Sequence, residues 1–209
     1  MNVSTIESID DPRVAAYANL RERALRGENL FIAEGALLVE RLLCSEYETE
    51  SILSSDVFAP EIERLLKETG LEDTPVYVGP ISMLREIVGF PFHRGALAIG
   101  RRRTETDAVT LKRFFQSLPP SPTRSRIVIG PAIATPDNVG LVMRSAAAFG
   151  ADGVLLGVQS ADPLSRRGMR LSMGAALLAS HARITNIAAA SERLQREHGY
   201  KLIGTVLDD

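Results

Sequence analysis

The 209-residue chain is poor in cysteine and in aromatic residues, and each shortage excludes a class of site. Cys44 is the single cysteine, so neither an internal disulfide nor a metal site built from several cysteines is available. Tryptophan is absent, and aromatic residues make up 5% of the chain. A site that stacks nucleic-acid bases on a broad aromatic platform is therefore a poor hypothesis. Cys44 itself is expected to be a small buried hydrophobic residue.

Signals for membranes, secretion, metals and nucleotide loops are also missing from the sequence. No apolar run approaches the roughly 20 residues that span a bilayer, and the polar segment 1–13 does not resemble a signal peptide, so a cytoplasmic protein is expected. His93, His181 and His198 show no ligand spacing, so no metal is expected, and His181 is interpreted as a surface residue without a role. No glycine-rich phosphate loop follows a predicted strand, which makes a generic nucleotide-binding protein the least favoured reading.

The charge balance of the chain is compatible with a nucleic-acid partner. The formal net charge is −2 and the isoelectric point is near 6.0, which argues against a protein that coats nucleic acid non-specifically. A local basic face is compatible with such a balance, because phosphate contacts need clustered arginines rather than a basic average.

The chain is organised around residues 126–158, which predict a strand, a loop, a helix and a second strand. The run 126–130 is apolar and β-branched, Thr135 and Pro136 are typical of a helix start, and Phe149-Gly150 is typical of a helix end. This order favours a parallel sheet, whose ligands bind where strands end and helices begin. Asn138 and Gly140 fall at that point, and Gly140 is expected to leave the backbone open to a ligand. An ordinary capped helix with an exposed Arg144 is the alternative.

Strands and helices alternate on both sides of this unit. Strands are predicted over 30–33, 51–53, 76–78, 96–99 and 201–207. Helices are predicted over 20–27, after Gly35, over 59–69 with Gly70 as the stop, over 83–88 with Ser82 as the cap, and around 184–194. The charged and proline-rich stretch 101–123, which contains a short amphipathic segment at 111–118, is interpreted as a mobile connection between two units.

Three stretches resemble the SpoU family of RNA ribose 2′-O-methyltransferases, which belongs to the knotted SPOUT superfamily. They are Pro-Asp-Asn-Val-Gly at 136–140 with Arg-Ser-Ala-Ala at 144–147, Ala-Asp-Pro-Leu-Ser at 161–165, and Arg-Leu-Ser-Met-Gly-Ala at 170–175. The resemblance implies an α/β protein with an L30e-like α/β/α sandwich at 1–100 that binds the RNA substrate. It further implies a linker at 101–123 and a SPOUT-type parallel-sheet methyltransferase domain at 124–209.

The resemblance also implies roles for individual residues. Arg144 and Asn138 would be catalytic, and S-adenosylmethionine would be the methyl donor, held near Thr205 and Leu207. The partner would be rRNA or tRNA, and the complete protein would be a homodimer. The RNA contacts would include Arg21, Arg26, Glu34, Arg94 and Arg170. The arginines of 20–27 have a simpler alternative as a solvated helix face, and Arg94 stands where relatives carry glutamine, beside a histidine (His93) that is more simply a turn residue.

Two further family motifs, which form the knot and most of the donor pocket, are not found in the 209 residues. The expectation is therefore a family member shortened before its last two motifs, with impaired activity and weak donor binding. The alternative is a non-catalytic RNA-binding remnant of such an enzyme.

Overall fold

A computed structural model describes residues 2–18, 27, 29–89, 95–120 and 125–205. The strands in these ranges are β1 (Val3–Thr5), β2 (Leu30–Glu34), β3 (Thr49–Ser55), β4 (Val76–Gly79), β5 (Ala96–Arg101), β6 (Ile127–Gly130), β7 (Gly153–Gly157) and β8 (His181–Ile184). The α-helices are α1 (Ala36–Leu43), α2 (Ala59–Thr69), α3 (Ile81–Val88), α4 (Asp107–Ser117), α5 (Pro136–Ala148), α6 (Arg166–Leu171), α7 (Ala175–Leu178) and α8 (Ile187–Arg196). A 3-10 helix spans Pro12–Tyr17.

The first sheet has five strands in the order β1-β4-β3-β5-β2. The pairs β1–β4 and β4–β3 are parallel, whereas β3–β5 and β5–β2 are antiparallel. Side chains alternate between its two faces because successive residues of a strand point in opposite directions. Leu30 and Ile32 pack with α3 and the 3-10 helix, while Phe31 and Ala33 pack with α1 and α2. The predicted α/β/α layering of this part is confirmed.

Local signals place the ends of α2 correctly. The helix runs over Ala59–Thr69, and Gly70 closes it in the left-handed conformation with φ of 71°. Glycine suits that position because it has no Cβ to clash. The start of α3 differs from the prediction, since Pro80 occupies the cap position and Ser82 lies inside the helix.

The second sheet has three parallel strands in the order β6-β7-β8. Ile127 lies opposite Gly153, and Val154 lies opposite His181. Helix α5 connects β6 to β7, with Thr135 as its cap and Pro136 as its first residue, and its last turn is followed by Gly150 with φ of 65°. The predicted strand–helix–strand unit and its parallel sheet are confirmed.

The two sheets share one hydrophobic core. Leu38 on α1 belongs to the same buried cluster as Val139 and Met143 on α5 and Val154 on β7. The other face of the second sheet is covered by α4 and α8, with Phe114 and Leu194 buried there. The division into domains at 1–100 and 124–209 stays a prediction, but the two parts are packed against each other.

The stretch interpreted as a mobile connection contains ordered structure. Helix α4 covers residues 107–117, and Phe114 is 2% exposed in the core of the second sheet. Thr185 donates its backbone N–H to an Asp107 carboxylate oxygen at 2.7 Å. The amphipathic segment at 111–118 is therefore part of a helix that covers the sheet, which its charged neighbours in the sequence concealed.

Three other expectations are wrong. Cys44 is exposed, because it follows the last turn of α1 and lies at the edge of a surface cavity rather than in the core. Ile184 ends strand β8, and the helix starts only at Ile187. Residues 201–205 are exposed and form no strand, because in the described part no neighbouring strand pairs with them.

None of the helices that the structure describes is both long enough and apolar enough to cross a membrane.

Candidate functional site

The candidate site lies at the carboxyl ends of β6 and β7, where two loops are joined by hydrogen bonds. The Ser160 hydroxyl donates to the Gly130 carbonyl oxygen at 3.1 Å and accepts from the Ile133 backbone N–H at 2.9 Å. Ala161 donates its backbone N–H to the Ile133 carbonyl at 2.8 Å. Ser160 is 2% exposed, so its hydroxyl is shielded from solvent and its hydrogen bonds hold the two loops together. This arrangement sets the direction in which α5 leaves the sheet.

The first turn of α5 is held by a cap and by an ion pair. The Thr135 hydroxyl accepts the backbone N–H of Asn138 at 3.2 Å, which satisfies one of the free donors of the helix start. The guanidinium of Arg167 binds both carboxylate oxygens of Asp137, with 2.6 Å between Nη2 and Oδ2. The hydrogen bond from Arg167 lowers the pKa of the Asp137 carboxyl below its usual value. Helix α6 thereby fixes the position of α5.

Helix α6 carries three arginines that face different parts of the molecule. Arg166 pairs with Glu34 at the end of β2, with 2.8 Å between Nη2 and Oε2. Arg167 pairs with Asp137, and Arg170 is exposed. A groove of about 410 Å³ lies between α6 and the start of α1, and Arg170 and Glu34 both line it. The structure thus brings together two residues, Glu34 and Arg170, that are 136 positions apart in the sequence.

Gly140 does not leave the backbone open to a ligand. It is buried against α6, where an added Cβ would lie 2.7 Å from the Gly168 carbonyl oxygen and 2.9 Å from Leu171 Cβ. The absence of a side chain lets the two helices pack at close range. The prediction that Gly140 admits a ligand is therefore wrong: the glycine serves helix packing.

Arg144 and Asn138 are both exposed on α5 but do not share a face. Six residues correspond to a rise of about 9 Å and to one and two-thirds turns. Arg167 and Arg166 are committed to carboxylates, whereas Arg144 forms no ion pair with any acidic side chain that the structure describes. Its guanidinium is therefore available to a ligand from solvent.

The loop 158–165 is fixed to the first sheet by a pair that the sequence did not reveal. Arg102 Nη1 lies 2.8 Å from Asp162 Oδ2, and the two side chains are 16% and 13% exposed. Arg102 also donates from Nε to the Leu30 carbonyl at 2.9 Å. The arginine run at 101–103 falls in the stretch 101–123 that is interpreted as a mobile connection. Its middle member is largely shielded from solvent because it contacts Asp162 and the Leu30 carbonyl.

His181 is not a surface residue without contacts. It is half-buried at the start of β8, and its Nδ1 lies 3.1 Å from the Ala179 carbonyl oxygen. Burial lowers the pKa of the imidazole. The imidazole is half-buried because the strand that begins at His181 pairs with β7, a pairing between distant segments.

The structure does not place the remaining predicted contact residues at the site. Arg21, Arg26, Arg94 and Leu207, together with His93, lie outside those residues. Thr205 is exposed and belongs to no strand. The described residues therefore do not enclose a pocket for S-adenosylmethionine around Thr205. In the same residues no group of three histidine, cysteine, aspartate or glutamate side chains could hold a metal ion.

Comparisons with known proteins agree with the motifs. The model of the SpoU rRNA methylase family matches residues 125–209. The chain is 29% identical over 208 residues to an uncharacterized tRNA/rRNA methyltransferase of Mycobacterium tuberculosis, covering 97% of this chain and 68% of that protein. It is 24% identical over 126 residues to a 23S rRNA (guanosine-2′-O-)-methyltransferase of Acinetobacter baylyi, covering 60% of this chain and 49% of that protein.

Solved structures share the fold. An S-adenosylmethionine-bound rRNA methyltransferase from Sinorhizobium meliloti superposes with a TM-score of 0.70 at 20% identity, covering 95% of this chain and 69% of that one. An RNA 2′-O ribose methyltransferase superposes with a TM-score of 0.65 at 22% identity, covering 93% and 70%. The arrangement of both sheets therefore occurs in other proteins.

Proposed function

We propose, on the premise that residues 125–209 belong to the SpoU rRNA methylase family, that this protein methylates a ribose 2′-hydroxyl of rRNA or tRNA with S-adenosylmethionine as donor. The observation that carries the proposal is Arg144. It is an exposed arginine without a described carboxylate partner, on the helix that carries the family motif. The relatives named as tRNA/rRNA methyltransferases and as a 2′-O-methyltransferase support the substrate class.

The reaction needs a guanidinium as an electrostatic group rather than as a base. The ribose 2′-oxygen attacks the methyl carbon of the donor sulfonium, the carbon–sulfur bond breaks to leave a neutral thioether, and the hydroxyl proton passes to solvent water. Arg144 stays protonated in nearly all protein settings, so it cannot take that proton. It can hold the phosphate next to the target ribose with a bidentate contact and stabilise negative charge that develops on the oxygen. Asn138 would orient the ribose or the loop from the first turn of α5.

The groove between α6 and α1 would receive RNA beside the target nucleotide. Arg170 supplies an exposed cation there, while Glu34 is held by Arg166 at the other wall. Arg21, Arg26 and Arg94 stay predicted RNA contacts. The proposal includes a cytoplasmic location and a homodimer. It also places the donor near Thr205 and Leu207, with walls that the described residues do not supply.

The test measures both the transfer of the methyl group and the part of the nucleotide, ribose or base, that receives it. Transfer from S-adenosylmethionine to cellular RNA is followed by alkaline hydrolysis. A 2′-O-methyl group blocks the attack of the 2′-oxygen on the phosphate, so ribose methylation leaves an alkali-resistant dinucleotide. We expect such dinucleotides with the wild type. Labelled mononucleotides alone would mean base methylation and contradict the ribose assignment.

The matched variants are Arg144→Ala, Arg144→Lys and the neighbouring Ser145→Ala as control. Loss of one electrostatic contact in a transition state costs about 100-fold or more in rate. Both Arg144 variants should lose transfer to that extent, because lysine cannot reproduce a bidentate fork. Ser145→Ala should stay near the wild type. Normal turnover in Arg144→Ala with an unchanged melting curve would remove Arg144 from the mechanism, and RNA binding without any transfer in the wild type would support the non-catalytic alternative.

A further inference from the structure

A second concave region lies between the two sheets, and the proposed methyl transfer does not use it. It consists of two adjoining hollows of about 300 Å³ and 340 Å³, which share Tyr47, Arg103, Arg113 and His181 in their walls. We refer to both hollows together as the inter-sheet cavity. His181, the first residue of β8, lines both hollows, while Asp162, Pro163 and Leu164 of the loop after β7 line the second, so the cavity reaches both ends of the parallel strands. Helix α5 begins at their carboxyl ends.

The charged lining of the inter-sheet cavity is positive. It contains four arginines and three carboxylates, which leaves one positive charge in excess in a chain of net charge −2. The arginines are Arg102, Arg103, Arg113 and Arg183, and the carboxylates are Glu46, Glu105 and Asp162. The partner of Arg103 is Glu46, whose side chain is 83% exposed. Solvent screens such an exposed carboxylate, so it neutralises the arginine poorly inside the cavity.

Arg113 leaves part of its hydrogen-bonding capacity unused. Its Nη2 lies 3.2 Å from a Glu105 carboxylate oxygen. Its Nη1 is buried and has no hydrogen-bond partner among the described residues. A buried cationic N–H without an acceptor is costly, and an oxygen-rich anion beside it removes that cost. The Arg113 side chain is 33% exposed and lines both hollows.

The positive charges of Arg103 and Arg113 affect the pKa values of Tyr47 and His181, which also line the cavity. Burial is the main cause of the raised pKa of the Tyr47 phenol, and both arginines act against it. Burial is also the main cause of the lowered pKa of His181, and both arginines act in the same direction. Arg103 stacks over the Tyr47 ring, with 4.9 Å from its Cζ to the ring centroid. Asp162 opposes the two arginines at both groups, and at His181 its effect exceeds that of either arginine.

We propose that the inter-sheet cavity binds a phosphate group through Arg103 and Arg113. Phosphate offers several acceptor oxygens to guanidinium donors and carries the charge that the lining lacks. The His181 ring donates Nδ1–H to the Ala179 carbonyl, so the Nε2 of the neutral imidazole is an acceptor and can pair only with a protonated phosphate oxygen. The hollows exceed the size of a bare phosphate ion, so a group attached to the phosphate has room.

The bound group connects parts of the chain that belong to different sheets. Arg103 follows β5 of the first sheet, whereas Arg113 lies on α4, which covers the second. Binding therefore stabilises the packing of the two sheets by mass action, in proportion to the ligand concentration above its dissociation constant. This site does not depend on the methyltransferase proposal.

The test is calorimetric titration of the purified protein with inorganic phosphate at constant ionic strength. We expect saturable binding by the wild type. Arg113→Gln should weaken it by about tenfold or more, since a charge-assisted contact is lost. Lys112→Gln is the matched control, because Lys112 is an exposed cation on the same helix that lines neither hollow. It should bind as the wild type does.

Competition identifies where the phosphate comes from. A nucleoside 5′-monophosphate that displaces inorganic phosphate, with no effect of a short RNA, supports a phosphorylated small molecule. Displacement by the RNA supports a phosphate of the nucleic-acid backbone. If Arg113→Gln does not fold, Arg103→Gln takes its place with the same expected loss. Absence of saturable phosphate binding by the wild type, or equal weakening in Lys112→Gln, overturns the site.

Discussion

The two sheets differ in how their faces are covered. One face of the five-stranded sheet is closed entirely by residues that precede position 100, with Tyr17, Leu84 and Ile99 in its core. The three-stranded sheet shares the core of its α5 face with the first sheet. The larger sheet is therefore closer to self-sufficient, whereas the smaller one, which carries the motif residues, depends on its neighbour.

Ion pairs show the same contrast. In the first part of the chain, Arg64 pairs with Glu61 and Glu68 on one exposed helix face, within four positions. The pairs that join the two sheets are long-range and less exposed, and Arg166 and Glu34 are 132 positions apart. Exposed local pairs contribute little to stability, whereas buried pairs cannot lose one partner without a large cost. The geometry of the site therefore depends on residues at the junction of the sheets.

The largest expected effect comes from breaking the junction at Arg102. Arg102→Ala removes the cation that compensates the burial of Asp162 and should lower the free energy of unfolding by about 3 kcal/mol. Arg101→Ala is the matched control, because Arg101 pairs with Glu50 at the surface and should change stability by less than about 1 kcal/mol. Urea denaturation followed by circular dichroism measures both. Equal losses of unfolding free energy in the two variants would mean that Arg102 at the junction contributes no more to stability than Arg101 at the surface.

A smaller loss should follow from a methyl group between α5 and α6. Gly140→Ala places a Cβ 2.7 Å from the Gly168 carbonyl oxygen, and overpacking of this kind costs about 1–3 kcal/mol. Methyl transfer should fall as well, because α5 carries Arg144. Gly204→Ala adds a Cβ with nothing within 4 Å and should be close to neutral. A Gly140→Ala protein as stable as the Gly204→Ala protein would contradict the close packing of the helices.

The half-buried His181 predicts a pH dependence of stability. Because burial lowers its pKa in the folded state, the unfolded state binds the proton more readily. Its contribution is fully present above the unfolded pKa of about 6.5 and is lost as the pH falls through the lower folded pKa. Denaturation between pH 7.5 and pH 5 should show the loss in the wild type and a shallower slope in His181→Asn. Parallel slopes in the two proteins would disprove this role of the imidazole.

The smallest effect is expected at Asp137. The side chains of Asp137 and Arg167 are 39% and 59% exposed, so Asp137→Asn should cost less than about 1 kcal/mol despite good geometry. The lowered pKa of Asp137 makes its contribution present above its unfolded pKa near 4 and lost as the pH falls further. The same denaturation experiment at pH 7 and pH 3 checks this. A loss at pH 7 as large as that of Arg102→Ala would place the pair among the residues that hold the sheets together.

The sequence by itself determined the elements whose signals are local. Thr135 and Pro136 begin α5, Gly70 ends α2, and the apolar run at 127–130 is a strand, because capping, left-handed glycines and side-chain periodicity act between near neighbours. The alternation of strands and helices before residue 100 led to the layered sandwich for the same reason.

Tertiary structure alone decided the partners. Cys44 is exposed, Gly140 packs on Gly168 and Arg102 pairs with Asp162, and none of these can be inferred from neighbouring residues. Residues 201–205 have the pattern of a strand without forming one, since a strand exists only when another pairs with it. Burial and pairing depend on which distant segments of the chain come into contact. The residue pattern of a short segment does not reveal those contacts.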